Sequence, residues 1–205
     1  MESDPVAASA SNSASTTTPS NPASTTTPSS LSDHPFLQPA LHLQIGIGPA
    51  IAIGSLSRGN PLTVVPLTTG TLASEPDFPV RLVARLQGQG TDYVHNDPDG
   101  GRMRLKSDLV FVDLHGESIH VHYTGIVDIT TEVRRILGRS ANARSTDFVI
   151  QVSFETGSMR YKSLEQALFV GAGRFVIKDG ALSVEYRISK VCKGEASAQE
   201  EDAPS

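Results

Sequence analysis

The stretch that most constrains the fold is residues 104–128, where two β-rich runs meet at a short turn around His115-Gly116. Both runs are rich in β-branched and aromatic residues, a composition typical of paired strands. Gly116 accepts the positive φ that a two-residue hairpin turn needs. The sequence therefore predicts a β-hairpin with strands 104–114 and 117–127.

A two-residue turn also predicts which side chains share a face, because side chains alternate along a strand. Leu114 is then opposite Glu117. The same register gives three further pairs, which are Val112 with Ile119, Val110 with Val121, and Asp108 with Tyr123. We therefore expect Asp108 and Tyr123 to end an apolar inner face, with His120 and His122 on the opposite face.

Strand patterns recur through most of residues 34–192, separated by Gly, Pro and Asn/Asp turn signals. Residues 148–156 and 182–188 alternate apolar and polar side chains, as half-buried strands do. Two short helices are predicted, one after an N-cap at Thr130 and one opened by a capping-box spacing at Ser163–Gln166. The predicted fold is an all-β antiparallel barrel, closed or nearly closed, with one or two short helices and disordered tails.

The two ends of the chain differ from this pattern. Residues 1–33 are almost entirely Ser, Thr, Pro and Ala, and residues 193–205 are acidic. Such segments bury too little apolar surface to offset the entropy of ordering, so both are predicted to be disordered. The barrel domain is expected to span residues 34–192.

Charge and cysteine content exclude several classes of protein. The formal net charge is −5, with −3 in each tail, so residues 34–192 carry about +1 and offer no argument for nucleic acid or an anionic membrane. Cys192 is the single cysteine, which excludes an intrachain disulfide and a Cys-rich zinc site. No signal-peptide pattern or membrane-spanning run is found, so a cytoplasmic location is expected. Homo-oligomerisation through an edge strand stays open.

Six short motifs occur in order along the predicted barrel. They are Pro66-Leu67-Thr68-Thr69-Gly70-Thr71, Gly90-Thr91-Asp92-Tyr93, His115-Gly116 with Gly125, Phe154-Glu155-Thr156, Tyr161, and Phe169-Val170-Gly171-Ala172-Gly173-Arg174. Together they resemble the family called domain of unknown function 3237, from about Leu41 to Val191. The resemblance implies a compact antiparallel β-barrel without an assigned reaction.

The chain departs from that family where it lacks tryptophan. Tyr93 stands where the family commonly has Trp, and Ser163 stands where it has a second Trp. A pocket shared by the family is therefore expected to be remodelled here. The leader resembles those of fungal proteins, in which such barrels look by analogy like accessory enzymes of secondary metabolism.

Asp92 and Glu155 are the candidate carboxylates for proton transfer. Asp92 matches the family's acidic position and would serve as a general acid or base if an apolar cavity raised its pKa, or as a turn-capping residue if exposed. Glu155 lies on the polar face of its strand, where it is either solvated or paired with an arginine such as Arg58 or Arg174.

The remaining candidates would orient or surround a substrate. Tyr123 and Asp108 would converge at the lumen mouth, unless Tyr123 is only a core residue. His120 and His122 have the spacing of β-sheet metal ligands, but no third ligand is identified, so they are expected to shape the pocket or to lie exposed. Substrate contacts are also assigned to the residues Arg58, Tyr93 and Tyr161.

The sequence thus favours a small barrel enzyme that needs no cofactor or metal. It would bind a hydrophobic, polyketide- or terpenoid-like molecule and catalyse its cyclisation, isomerisation or dehydration, with Asp92, Glu155 and Tyr123 as catalytic residues. The alternative is a non-catalytic carrier or interaction protein of the same fold.

Overall fold

Ten β-strands, all paired antiparallel, form one sheet in the computed structural model, which describes residues 34–138, 144–178 and 180–194. All of these residues belong to Leu31–Ser205, one of the two units into which the chain divides. The predicted leader and residues 195–205 of the predicted tail lie outside the described residues.

The strands and helices follow one another along the chain with short connections. Their bounds are β1 Phe36–Ile47, β2 Ile51–Ser55, β3 Pro61–Ser74, β4 Val83–Leu86, β5 Gly90–Asn96, β6 Arg102–Asp113, β7 Ser118–Asp128, α1 Thr131–Leu137, β8 Arg144–Glu155, α2 Lys162–Glu165, β9 Phe169–Lys178 and β10 Ala181–Cys192. The predicted all-β class with short helices is confirmed.

The sheet closes into a ring. Starting from β1, the neighbours are β10, β9, β8, β7 and β6, in that order. Strands β4 and β5 then both pair with β6 on one side and with β3 on the other. Because β3 also pairs with β1, the ring is complete, and the predicted closed antiparallel barrel is confirmed. Strand β2 pairs with β3 beyond the end of β1.

The central hairpin forms, but its register differs by one residue from the predicted one. The observed pairs include Phe111 with Ile119, Leu109 with Val121, Asp108 with His122, and Ser107 with Tyr123. A shift of one residue moves every side chain of one strand to the other face relative to its partner. The predicted inner face is therefore wrong for β6, because Asp108 points outward and Ser107 points inward beside Tyr123.

The turn explains the shift, because its loop has three residues rather than two. The N–H of Asp113 donates to the carbonyl of Glu117 at 3.0 Å, and Gly116 has φ 82°. One Asp113 carboxylate oxygen, Oδ1, accepts the N–H groups of His115 and Glu117 at 2.8 and 2.9 Å. A three-residue loop of this kind ends in a left-handed glycine, as observed.

The two helices are short and lie between strands of the ring. Helix α1 begins after Thr130, whose hydroxyl accepts the N–H of Val133 at 3.2 Å, as predicted. Helix α2 begins at Lys162 without a side-chain cap, so the predicted capping box at Ser163–Gln166 is wrong and Ser163 lies inside the helix. Among the described residues, no helix has the length and hydropathy needed to cross a bilayer.

Aromatic rings fill one side of the barrel interior. Phe148 packs against Phe175 at 5.0 Å and against Tyr186 at 5.8 Å between ring centroids. Gly173 makes room for this packing, since a Cβ there would lie 2.1 Å from the ring of Phe148. Phe175 and Tyr186 also line a cavity in the barrel interior, which residues of β3 and β5 border as well.

Candidate functional site in the barrel lumen

A cavity of about 300 Å³ lies inside the barrel. Its walls are mostly aliphatic and aromatic side chains from several strands. They include Val65 on β3, Val94 on β5, Leu105 on β6, Phe175 on β9 and Val184 on β10. Such a concave, largely apolar space with a few polar groups is typical of a small-molecule site.

Thr63 and Asn96 line the cavity, and a further polar group of the wall comes from one row of residues across neighbouring strands. Val65 pairs with Asp92, Asp92 with Ser107, and Ser107 with Tyr123. All four side chains lie on the inner face because partners in a ladder share a face. Asp92 and Tyr123 reach the cavity wall, while Ser107 is fully buried between them.

Asp92 is a buried carboxyl group in apolar surroundings. Its side chain is 7% exposed, and its Oδ1 atom has no hydrogen-bond partner among the described residues. Burial raises the pKa of Asp92 to about 6, because the charged form loses hydration. The Ser107 hydroxyl and the Lys106 backbone act in the opposite direction and only partly offset burial. Ser107 Oγ lies near Asp92 but outside hydrogen-bond geometry.

Two tyrosines complete this polar group. Tyr123 and Tyr186 are fully buried, and their ring centroids are 5.2 Å apart. Burial is the main cause that raises the pKa of each phenol, and the nearby Asp92 charge raises both further. Both phenols are therefore neutral hydrogen-bond donors at neutral pH. We call Asp92, Tyr123 and Tyr186 the polar floor of the cavity.

The structure places a second group of predicted site residues on the outside of the barrel. Asp108 Oδ1 lies 3.0 Å from His122 Nδ1 and 3.3 Å from His120 Nε2, and His120 Nδ1 lies 3.0 Å from Glu155 Oε2. The Glu155 side chain is 74% exposed. The predicted grouping of these four residues with Asp92 and Tyr123 around one pocket is therefore wrong, because alternation along β6, β7 and β8 sends them to solvent.

Electrostatics in this outer group differ from those in the lumen. Burial acts to raise the pKa of Asp108, but the hydrogen bond from His122 and the charges of both histidines hold it below its ordinary value. Among the described residues, no group of three or more His, Cys, Asp or Glu side chains is arranged to hold a metal ion.

Arg58 and Tyr93 also lie away from the cavity. Arg58 contacts Asn60 and His95 at the surface, with 2.9 Å between its Nη2 and His95 Nε2. Tyr93 neighbours Asp92 in sequence, and alternation therefore points it outward, where it is 39% exposed. The predicted substrate contacts of both residues are not supported by their positions.

Tyr161 is buried, but it belongs to the turn region rather than the cavity. Its hydroxyl donates to Asp113 Oδ2 at 2.6 Å. This hydrogen bond holds the pKa of Asp113 below its ordinary value. Asp113 thus receives hydrogen bonds from its own turn and from a residue 48 positions later. The pair links Tyr161 to the turn of the central hairpin, and Tyr161 does not line the lumen cavity.

Sequence reasoning did not identify two residues of the lumen site, Ser107 and Tyr186. Tyr186 was expected only as one of the regularly spaced residues of a strand face, together with Leu182 and Val184. Ser107 could have been found from the register of β5, β6 and β7, since it lies directly between Asp92 and Tyr123.

Several solved structures have the same fold. A conserved protein of unknown function from Rhodopseudomonas palustris is 21% identical, with a TM-score of 0.65, covering 77% of this chain and 98% of that chain. A beta-barrel like protein from Acinetobacter baumannii is 20% identical, with a TM-score of 0.59, covering 77% and 96%. A protein with unknown function from Clostridium acetobutylicum is 18% identical, with a TM-score of 0.57, covering 76% and 99%. At these identities the likeness shows the fold alone.

No curated protein matches the chain significantly. The family model described as "Protein of unknown function (DUF3237)" matches residues 35–191, which include every strand of the barrel except the last residue of β10, Cys192. The chain is therefore a member of the DUF3237 family, as the order of its sequence motifs indicated.

Proposed function

We propose that this barrel is an enzyme that moves a proton within a hydrophobic metabolite held in its lumen, without a cofactor. The observation that carries the proposal is the buried Asp92 carboxyl group, whose pKa of about 6 places both of its protonation states within reach near neutral pH. A general acid or base works best when its pKa lies near the working pH. The apolar wall would exclude water and hold the substrate against this group.

The chemistry follows from the polar floor. In an isomerisation, the Asp92 carboxylate accepts a proton from one substrate atom and, as the acid, returns it to another, so the enzyme ends as it began. A phenol of Tyr123 or Tyr186 stabilises oxygen charge that develops in between by donating a hydrogen bond. In a ring closure, Asp92 likewise accepts one proton from the substrate and returns one proton to it. Dehydration differs only in that the returned proton leaves with the departing hydroxyl as water.

The substrate class we propose is a polyketide- or terpenoid-like intermediate of secondary metabolism. The size and apolar character of the cavity support a compact hydrophobic molecule. Of the predicted catalytic residues, Asp92 and Tyr123 keep their proposed roles. Glu155 is left out because its side chain lies on the outer surface.

The experiment compares three proteins on the same substrate mixture. Purified wild type, Asp92→Asn and Asp108→Asn are incubated with an extract of the producing organism, and products are followed by liquid chromatography and mass spectrometry. Native mass spectrometry of the wild type identifies the molecule that the barrel retains. Asp108→Asn is a matched control, because it makes the same substitution on the outer face of the neighbouring strand.

We expect Asp92→Asn to slow turnover by about 100-fold or more, the usual contribution of a general acid or base. Asp108→Asn should turn over like the wild type. A wild type that retains a molecule without converting it would identify the barrel as a carrier. Full activity of Asp92→Asn would show that another group moves the proton.

A further inference from the structure

The polar floor also bears on what kind of molecule the cavity accepts. Among the described residues that line the cavity, Asp92 is the one side chain that ionises near neutral pH, and no arginine, lysine or histidine lines it. An anionic group in this space would be desolvated beside a carboxyl group with no cation to balance it. A ligand carboxylate or phosphate is therefore disfavoured.

The floor offers one unpaired acceptor. Asp92 Oδ1 is buried and has no donor among the described residues, and the Asp92 side chain lines the cavity. A buried acceptor without a donor is costly, typically about 1–3 kcal/mol, and a ligand that donates to the carboxyl group offsets that cost. The ligand atom nearest Asp92 should therefore carry a hydrogen.

The floor also offers a donor. Tyr123 and Tyr186 both line the cavity, with their ring centroids 5.2 Å apart. Each neutral phenol carries one hydrogen that it can donate. A hydroxyl group can donate to Asp92 and accept from a phenol at once. An ammonium group has donors only and cannot accept the phenol's hydrogen.

The cavity volume limits the size of the ligand. A cavity of about 150 Å³ takes one benzene molecule. At about 300 Å³, this cavity has room for roughly two fused six-membered rings. Its apolar walls match the faces and edges of such a molecule.

We propose that the lumen binds neutral, two-ring-sized alcohols or phenols, with the hydroxyl group placed between the Asp92 carboxyl group and a tyrosine hydroxyl. This inference rests on the proposed function in that it assigns a substrate class to the same cavity. It depends on binding alone, and it can be tested without knowing the reaction.

The test is isothermal titration calorimetry of the full-length protein at pH 7 with a matched series of naphthalene compounds. The series comprises 2-naphthol, naphthalene, 2-methoxynaphthalene, 2-naphthoate and 2-(aminomethyl)naphthalene. They share the naphthalene ring system and differ in the substituent. 2-Naphthol carries a neutral hydroxyl, naphthalene carries no polar group, and 2-methoxynaphthalene carries only an acceptor. 2-Naphthoate is an anion, and 2-(aminomethyl)naphthalene is a cation. We expect 2-naphthol to bind at least about tenfold more tightly than each of the others, equivalent to about one hydrogen bond.

Two variants and one control variant locate the bound molecule. Val65 is paired with Asp92 on the neighbouring strand and lines the cavity, so the larger side chain of Val65→Phe should fill the cavity and abolish binding. Asp92→Leu keeps the size of the side chain and removes the acceptor, so the preference for 2-naphthol over naphthalene should disappear. Asp108→Leu, the same change on the outer face, should keep that preference.

The wild-type series needs no variant and decides the question even if a variant does not fold. Tighter binding of the anion or the cation, equal binding of naphthalene and 2-naphthol, or no binding at all would overturn the proposal. If the 2-naphthol preference holds but Asp92→Asn retains full turnover, the proposed catalytic role fails and the ligand class stands. If the preference is absent but Asp92→Asn is inactive, the proposed ligand class fails and the catalytic role of Asp92 stands.

Discussion

The buried Asp92 carboxyl group should make the stability of the barrel fall as pH rises. Its pKa is raised from an ordinary 3.8 to about 6 in the folded protein, because burial disfavours the charged form. The folded state therefore holds the proton to a higher pH than the unfolded state. The contribution of this group to stability is greatest below 3.8, and it is lost as pH rises toward and through about 6.

The size of the effect follows from the shift. A rise in pKa from 3.8 to about 6, at about 1.36 kcal/mol per pH unit, corresponds to about 3 kcal/mol over the full titration. About 2 kcal/mol of this lies between pH 4 and pH 7.5. Asp92 is nearly inaccessible to solvent, so solvent screening reduces the figure little.

The assay is urea unfolding of the wild type and Asp92→Asn at several pH values from 4 to 7.5. Asparagine does not ionise, so the free energy of unfolding of the variant minus that of the wild type should increase by about 2 kcal/mol across this range. Any constant effect of the amide cancels in this comparison. A difference that stays flat with pH would refute the claim that Asp92 is buried with a raised pKa.

Asp108→Asn supplies a control of opposite sign. The pKa of Asp108 is held below its ordinary value by His122 and His120, which outweigh burial. Its carboxylate therefore adds stability above the ordinary pKa, and that stability is lost as pH falls. Near and below pH 3.8, Asp108→Asn should therefore gain stability relative to the wild type as pH falls, whereas Asp92→Asn should lose it. Slopes of the same sign for both variants would contradict the inward and outward placement of the two residues.

Three further predictions test the packing and the outer residues. Gly173→Ala should destabilise the barrel by about 1–3 kcal/mol in urea unfolding, because the added Cβ would overlap Phe148. Gly157→Ala should change the stability little, because no atom lies within 4 Å of a Cβ there. Equal effects of the two substitutions would contradict the packing around Gly173. Glu155→Gln should leave turnover and ligand binding unchanged in the assays above, since the side chain is exposed, and a loss of either would return it to the site. Tyr161→Phe should lower the midpoint of thermal unfolding without affecting 2-naphthol binding, because it removes a hydrogen bond to a turn carboxylate; an unchanged midpoint would show that this bond does not stabilise the hairpin.

The family resemblance and the strand patterns predicted the fold well. Alternation in residues 148–154 put Phe148, Val152 and Phe154 on one face, and all three are buried. The physical reason is that a strand with a period-two apolar pattern must bury one face wherever it lies in the sheet. Asp92 was predicted as a candidate acid or base, and it lines the cavity.

The candidate site was predicted only in part, because its membership depends on register. Asp108 and Ser107 are adjacent in sequence, and a one-residue change in the turn decides which of them faces Tyr123. Glu155 shows a related error. It lies on the polar face of its strand, and this alternation correctly indicates solvent, whereas the family motif Phe154-Glu155-Thr156 favours a place in the site.

By itself, the sequence determined that this chain forms an antiparallel barrel. It also determined which strands alternate apolar and polar side chains, and that Asp92 and Tyr123 are candidates for one site. The tertiary structure alone decided the register of the central hairpin. Asp113 fixes a three-residue turn with hydrogen bonds from its own loop and from Tyr161, which is 48 residues away along the chain. Local turn propensity cannot include a distant hydroxyl group, so only the closed barrel determines which side chains meet inside it.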